Sequence, residues 1–312
     1  MNVIEYLESI KNEAVSLTLG SYDGLHSGHV LLLNELKKIS AQSGTASLVI
    51  SFYPHPRKVI DRDYDMHLLN TREEKITIIN SLGIDHIHFI NFTKDFASTG
   101  YSEFYRDYIF SVLKVKNIIA GTNHHFGRNR KGDSSLLSDL CSEYSVNLIS
   151  VPPVSYENET VSSTRIRRSL AEGNVEDASK MLGYDYFVSG KIIRGRGIGS
   201  KIGFPTANLD TFDLEKVIPG KGVYFTSLTI KDQDHYAVTN IGQNPTVGGS
   251  GINIESHIID AGADLYGETV KISFLKRMRD EVKFPSENEL AKALRNDVVR
   301  AREMVNAAES KR

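Results

Sequence analysis

The sequence predicts an α/β domain with a mainly parallel sheet, followed by a small, mostly antiparallel β-barrel closed by a C-terminal helix. Three observations lead there. From Val15 to Val151 short apolar runs alternate with helical patterns, which implies parallel strands covered on both faces. From Tyr186 to Phe274 strand patterns follow one another with Gly-rich turns and almost no helical period. The chain has 312 residues, enough for two domains of ordinary size.

Composition narrows the class of function. The 37 basic and 39 acidic residues leave a net charge of −2, which argues against a general nucleic-acid or membrane-surface binder. The single cysteine, Cys141, excludes an internal disulfide and fits a reducing compartment. In its amphipathic stretch it reads as a small packing residue. The N-terminal MNVIEYLESIKNEA lacks a basic start followed by an apolar core, and no apolar run is long enough to span a bilayer. A cytoplasmic protein is expected.

The first strand carries Val15, Leu17 and Leu19 and ends in the turn-rich Gly20-Ser21-Tyr22-Asp23-Gly24. His26 and His29 then open a helix that continues through Val30 to Ile39. Strand, glycine turn and helix N-terminus together make a site for an anion, because unpaired N–H groups and the positive end of the dipole meet there. Imidazoles at i and i+3 share one helix face, so both can reach a phosphate. A packing role and metal ligation are the competing readings. No third ligand stands nearby at a standard spacing, which disfavours structural zinc.

Ala46 to Phe52 is the second strand, and it runs into Tyr53-Pro54-His55-Pro56-Arg57. Two prolines fix that loop, and His55 and Arg57 offer donors. Thr71 to Leu82 reads as a helix with a Thr N-cap and acidic residues in its first turn. Ile84 to Phe92 is a strand in which His86 and His88 are expected on the polar side. Tyr101 to Leu113 and Ser134 to Glu143 read as helices, and Asn117 to Gly121 and Asn147 to Val151 as strands. Glycines bracket the basic loop from Gly121 to Asp133, as a phosphate or ring site requires. Beyond Pro152-Pro153, Ser162, Ser163 and Thr164 open a helix and Arg165 and Arg167 follow, a set that holds phosphate oxygens.

Glu172 to Gly183 is a short amphipathic helix ending in glycine, and the domain boundary is placed after it, at 1–183 and 184–312. Tyr186–Ile193, Val223–Ile230, Tyr236–Ile241, Ile252–Ile259 and Thr269–Phe274 read as the barrel strands, and 286–311 as the closing helix. The loop containing Gly195, Gly199, Lys201 and Gly203 has neither dinucleotide nor P-loop spacing, yet its backbone N–H groups can wrap phosphates. Thr206 and Asn208 offer neutral oxygens on one side of an extended segment, which hard magnesium accepts together with phosphate oxygens. On residues alone Glu255 is one carboxylate among many.

The motifs resemble, in order, those of the bacterial bifunctional riboflavin kinase/FAD synthetases. G-x-x-D-G-x-H-x-G-H, from Gly20 to His29, is similar to their first signature and to the HxGH element of nucleotidylyltransferases. Phe52 to Arg57 resembles F-x-P-H-P-R. Gly121, Asn123, Phe126, Gly127 and Gly132 match a third pattern, in which His124 stands where Phe is usual. Val161 to Arg167 resembles I-S-S-T-x-I-R. In the second half Pro205-Thr206-Ala207-Asn208, the N-I-G-x-x-P-T run from Asn240, Glu255-Ser256-His257 with Leu265-Tyr266-Gly267, and Arg279, Glu281 and Phe284 resemble the kinase motifs.

The resemblance implies a Rossmann-like nucleotidylyltransferase domain and a riboflavin kinase-like barrel. It implies phosphorylation of riboflavin to FMN by ATP, then adenylylation of FMN to FAD with release of pyrophosphate, with Mg2+ as cofactor. It assigns ATP in the first domain to Gly20, Tyr22, Asp23, Gly24, Ser162, Ser163, Thr164 and Arg165, with catalytic His26 and His29. The flavin there falls to Pro54, His55, Pro56, Arg57, Asn123, His124 and Phe126. In the second domain ATP falls to Gly195, Gly199, Lys201, Gly203, Pro205, Thr206 and Asn208, metal to Thr206 and Asn208, and flavin to Arg279 and Glu281. Glu255 is the implied base. Riboflavin, FMN, FAD and ATP are the expected partners, and no nucleic acid or membrane. A relative that retains one activity, or a flavin-binding regulator, is the competing expectation, which assay of flavin products separates.

Overall fold

The apolar run of the first strand forms β1 (Ala14–Leu19), central in a five-stranded parallel sheet. A computed structural model describes residues 7–61, 66–122, 134–195, 198–212, 215–243, 251–259 and 265–309. With β2 (Ala46–Tyr53), β3 (His86–Asn91), β4 (Lys114–Gly121) and β5 (Asn147–Val151), the sheet order is β3-β2-β1-β4-β5, and β6 (Ser155–Tyr156) and β7 (Glu159–Thr160) pair in a short antiparallel ribbon after it. Leu17 lies beside Leu48 on one side and Ile118 on the other. The order reverses between β1 and β4, and in open sheets of this kind ligands bind at such a reversal, at the carboxyl ends of the strands.

Alternate residues feed two cores. Leu17, Leu48, Ile50 and Ile118 face one side, with Leu137 and Cys141 of the helix over 134–143. Val49 and Ile119 face the other, with Leu33 and Leu36 of α1 (Ser27–Ser43). Helices α2 (Pro56–Ile60), α3 (Arg72–Ser81), α4 (Lys94–Ser98), α5 (Tyr101–Glu103) and α6 (Ser134–Glu143) complete this unit. Thr71 and Glu74 close a reciprocal capping box on α3, as the sequence predicts. Burial pushes the Cys141 thiol up to about 11, in keeping with a packing role.

Two expectations are corrected in this half. His88 is buried, and burial lowers its imidazole to about 4; a sheet covered on both faces has no polar side. His86 does reach the surface, where its Nε2 meets Glu13 at 3.0 Å. The helix expected over 101–113 is α-helical only through Glu103 and continues as a π-helix from Phe104 to Phe110. The wider turn brings Phe104, Tyr105 and Ile109 all into the core.

The helix opened by Ser163 is α7 (Ser163–Ala171), and α8 (Val175–Leu182) follows it. Gly173, at φ 76°, and the Asn174 cap separate them, so the predicted helix starts at Val175 rather than Glu172. The chain divides into two compact units, Met1–Ser163 and Thr164–Arg312. Both helices therefore fall in the second unit, whereas the sequence pattern changes at Gly183. The physical reason lies in Arg277, whose Nη1 donates to the Glu172 carbonyl at 2.6 Å, and in Gly220, whose N–H donates to the Leu170 carbonyl at 2.8 Å.

The second unit is a closed barrel of β8 (Phe187–Ile193), β9 (Ala207–Thr211), β10 (Gly222–Ile230), β11 (Gln233–Gln243), β12 (Ile252–Ile258) and β13 (Thr269–Arg279). Its order is β10-β11-β12-β9-β8-β13, and each neighbouring pair is antiparallel. Strand β9 is absent from the predicted set because its run ANLDT is short and polar. Among the described residues a four-residue helix, α9 (Ile198–Lys201), precedes it. Helix α10 (Glu287–Glu309) lays Val298 and Ala301 on Val223, Phe225 and Val238. Among the described residues no helix is long and apolar enough to cross a membrane.

Barrel closure brings β8 and β9 close together. A Cβ on Gly190 would stand 2.2 Å from the Asp210 carbonyl oxygen. Gly190→Ala is therefore expected to lower barrel stability by about 1–3 kcal/mol, the usual cost of overpacking. An unchanged midpoint in thermal unfolding would contradict this.

Candidate active sites

The first site grows from the end of β1. Gly20 donates to the Ile50 carbonyl at 3.1 Å, and the chain then turns through Tyr22, Gly24 and Leu25, all at positive φ. Gly20 leaves the room for this: a Cβ there would stand 3.0 Å from the Tyr22 ring. Tyr22 is buried, its hydroxyl shares a 2.7 Å hydrogen bond with Thr18, and its ring meets His29 edge-on at 5.3 Å. The Asp23 carboxylate accepts from the N–H groups of Leu69 and Asn70, at 3.0 and 3.4 Å. The Asp23 carbonyl accepts from Ser163 Oγ at 2.7 Å, so two sequence-predicted residues far apart in the chain meet here.

Helix α1 starts from His26 with no side-chain cap and no acidic residue in its first turn. Its first N–H groups are thus left for an incoming acceptor. The His26 and His29 rings stack at 3.7 Å, 17° from parallel. Among the described residues, Nδ1 of each ring and Oγ of Ser27 are buried without a hydrogen-bond partner. Burial lowers His26 to about 4, and burial, His26 and the Lys75 ammonium hold His29 well below its ordinary value. Two neutral imidazoles with unused ring nitrogens at a helix N-terminus make a receptor for a phosphate, which strengthens when the anion arrives.

The other predicted residues of this half are placed as follows. The peptide bond between Tyr53 and Pro54 is cis, Pro56 opens α2, and His55 is its N-cap, accepting from the Arg57 N–H at 3.3 Å. Ser162 precedes α7, Ser163 opens it, and Thr164 and Arg165 continue its first turn in the second unit. Asn123, His124 and Phe126 lie outside the described residues.

The second site lies where β9 and β12 pair. Asn208 is opposite Glu255 in the register. Thr206 Oγ1 stands 3.5 Å from Glu255 Oε2, and Asn253 Nδ2 donates to Glu255 Oε1 at 2.5 Å. Gly195 passes directly over Asn208, since a Cβ there would come 2.1 Å from its amide nitrogen. Gly199 is equally tight against the Phe204 carbonyl, at 2.2 Å, and Gly203 has φ 85°. Lys201 ends α9, and the Pro205 carbonyl shares a 2.9 Å bond with His257 Nδ1. Asn253 escapes the motif search, although its i, i+2 spacing to Glu255 puts both on one strand face.

Arg279, expected at the flavin, ties β13 to α10. Its Nε and Nη2 bond the buried Asp297 carboxylate at 3.0 and 2.7 Å, and its guanidinium lies 5.8 Å from the Phe284 ring centre. A Cβ on Gly242 would meet the Glu281 carboxylate at 2.4 Å, so Glu281 sits against β11. Among the described residues no group of three or more His, Cys, Asp or Glu side chains is placed to hold a metal ion. A hydroxyl, an amide oxygen and a carboxylate around Thr206, Asn208 and Glu255 do suit a hard cation that shares its ligands with phosphate.

Comparison with known proteins shows the family. A family model described as FAD synthetase matches residues 8–165, and one described as riboflavin kinase matches residues 182–305. A protein of Escherichia coli strain K12 named bifunctional riboflavin kinase/FMN adenylyltransferase is 32% identical over 301 residues, covering 96% of each chain. This chain belongs to the bifunctional riboflavin kinase/FMN adenylyltransferase family. A Bacillus subtilis member is 32% identical over 285 residues, covering 90% of this chain and 89% of its own. A solved structure from Streptococcus pneumoniae, named a macrolide-efflux protein, is 31% identical with a TM-score of 0.86, covering 93% of this chain and 94% of that one.

Neutral His26 has a consequence for pH. The ring takes up a proton at 6.5 when unfolded and at about 4 when folded. Between these values the unfolded state binds more protons, so stability falls as pH drops through that window. The opening free energy of the β1–β5 amides, read from hydrogen exchange relative to the intrinsic rate at each pH, is expected to fall from about pH 7 to about pH 5, and less so in His26→Gln. An equal response in both proteins would contradict it.

Proposed function

We infer that the chain makes flavin cofactors in two successive steps. The first moves the γ-phosphoryl group of ATP to riboflavin, giving FMN and ADP. The second joins FMN to the AMP part of ATP, giving FAD and pyrophosphate. What supports this reading most is the presence of both family matches in one chain, each over a unit with its own phosphate-suited turn. We place the kinase in residues 184–312 and the adenylyltransferase in 1–183, with the protein in the cytoplasm.

In the kinase step, Glu255 accepts the proton of the ribityl hydroxyl as its oxygen attacks the γ-phosphorus. Asn253 holds the carboxylate in place. Gly195, Gly199, Lys201, Gly203 and Pro205 form the loop that wraps the phosphates. Thr206 and Asn208 would hold Mg2+, which when bound neutralises charge on the β- and γ-oxygens. Glu281 and Arg279, the latter braced by Asp297, border the flavin.

In the adenylyl step, an FMN phosphate oxygen attacks the α-phosphorus and pyrophosphate leaves. The nucleophile is already an anion, so no protein base is required. His26 and His29 donate to phosphate oxygens as charge moves to the leaving group. Ser162, Ser163, Thr164 and Arg165 clamp the chain of phosphates, with the Gly20–Gly24 turn beneath it. Pro54, His55, Pro56 and Arg57 receive the FMN phosphate, and Asn123, His124 and Phe126 the flavin ring.

Chromatography of a reaction started from riboflavin, ATP and Mg2+ tests both steps. His29→Ala is expected to lower FAD formation by about 10²–10³ while FMN still forms. Glu255→Gln is expected to lower FMN formation by about 10²–10⁴, while FAD still forms from supplied FMN. Equal loss of FMN formation from riboflavin and of FAD formation from supplied FMN, in either variant, would refute separate sites.

A further inference from the structure

Taking an ammonium out of water is costly, so a buried lysine beside a binding site is there for its charge or for the bond it makes. Lys75, in the first turn of α3, is 4% exposed. No motif marks it: in the sequence it follows Glu73 and Glu74 like any helix-surface charge. Its Nζ donates to the Ser21 carbonyl at 3.0 Å, and Ser51 Oγ reaches the same oxygen at 3.4 Å. Ser21 leads from β1 into the positive-φ turn at Tyr22, Gly24 and Leu25 that launches α1. The ammonium lies near enough to His29 for its charge to disfavour protonation of that ring.

Helix α3 is itself anchored to that turn. The Lys75 N–H donates to the Thr71 carbonyl at 3.1 Å, inside the Thr71–Glu74 capping box. The preceding residues Leu69 and Asn70 donate to the Asp23 carboxylate. Lys75 and Asp23 thus both tie α3 and the residues before it to the turn, one by a cation and one by an anion.

We propose that Lys75 is a positioning residue for adenylyl transfer: its buried ammonium fixes the Ser21 carbonyl, and with it the turn that aims the α1 N-terminus and its two imidazoles at an ATP phosphate. This rests on the adenylyl-transfer reading given above.

The test compares the full chain with Lys75→Met, Lys75→Gln and Lys75→Arg in three assays: FAD formation with ATP varied, FAD formation with FMN varied, and riboflavin phosphorylation. Lys75→Met is expected to raise KM for ATP about ten- to a hundredfold, the scale of one lost charge-assisted interaction. KM for FMN should change less than about threefold, riboflavin phosphorylation should be unchanged, and Lys75→Arg should recover most of the loss. An unchanged KM for ATP, or an equal rise for ATP and FMN, would overturn the proposal. Should Lys75→Met lose amide protection in β1–β5, Lys75→Gln and Lys75→Arg decide, and equal KM values for ATP in those two overturn it. If the unmodified chain forms no FAD, the adenylyl-transfer reading fails instead. Calorimetric ATP binding then judges Lys75 by itself, and equal Kd values in wild type and Lys75→Met would overturn it.

Discussion

A phosphate has to be met by donors that the protein leaves without partners, and leaving them so is destabilising until the ligand arrives. On the proposed reading, that constraint shapes the first unit. Helix α1 begins without a side-chain cap, and Nδ1 of its two stacked neutral imidazoles and the hydroxyl of Ser27 are buried without partners among the described residues. Each such group costs about 1–3 kcal/mol when buried unsatisfied. A protonated pair of histidines would cost more, since two like charges would then stack at 3.7 Å away from water. Keeping the rings neutral is the less costly way to hold donors ready.

The rest of the unit braces that arrangement. The residues at positive φ stay in place because Asp23 is held through its carboxylate by Leu69 and Asn70 and through its carbonyl by Ser163. The two cores on either face of the sheet fix β1 and α1, from which the turn hangs. In the second unit the same task falls to close backbone approach. Gly195 and Gly199 let the loop lie against Asn208 and the Phe204 carbonyl, and the β9–β12 register sets Asn208 opposite Glu255. In both units glycines and pairing register, rather than charged side chains alone, locate the polar atoms.

Much of this was legible in the sequence, because periodicity survives tertiary packing when the apolar face is consistent. β1, β2, β4 and β5 and the capped helix α3 fall where alternation and N-cap chemistry put them. The signals that failed have physical reasons. His88 breaks the polar-side rule because its strand is covered on both faces. The π-helix at Phe104–Phe110 has no sequence mark, since widening a turn serves packing rather than propensity. Strand β9 is short and polar and is a strand only because barrel closure supplies partners on both sides. Arg279 stands out in the sequence only through the family resemblance, and its partner Asp297 lies on another element and leaves no mark in linear spacing. Lys75 was passed over for the same reason: burial of a helix lysine cannot be read from its neighbours.

The claim on which most depends is that the nucleotide is received by neutral donors. Ring nitrogen chemical shifts of His26 and His29, recorded near pH 7 on the full-length protein with and without a non-hydrolysable ATP analogue and Mg2+, test it directly. Neutral-ring shifts in the free protein, moving in both residues when the nucleotide is added, are expected. Rings already protonated in the free protein, or unmoved by the nucleotide, would contradict it.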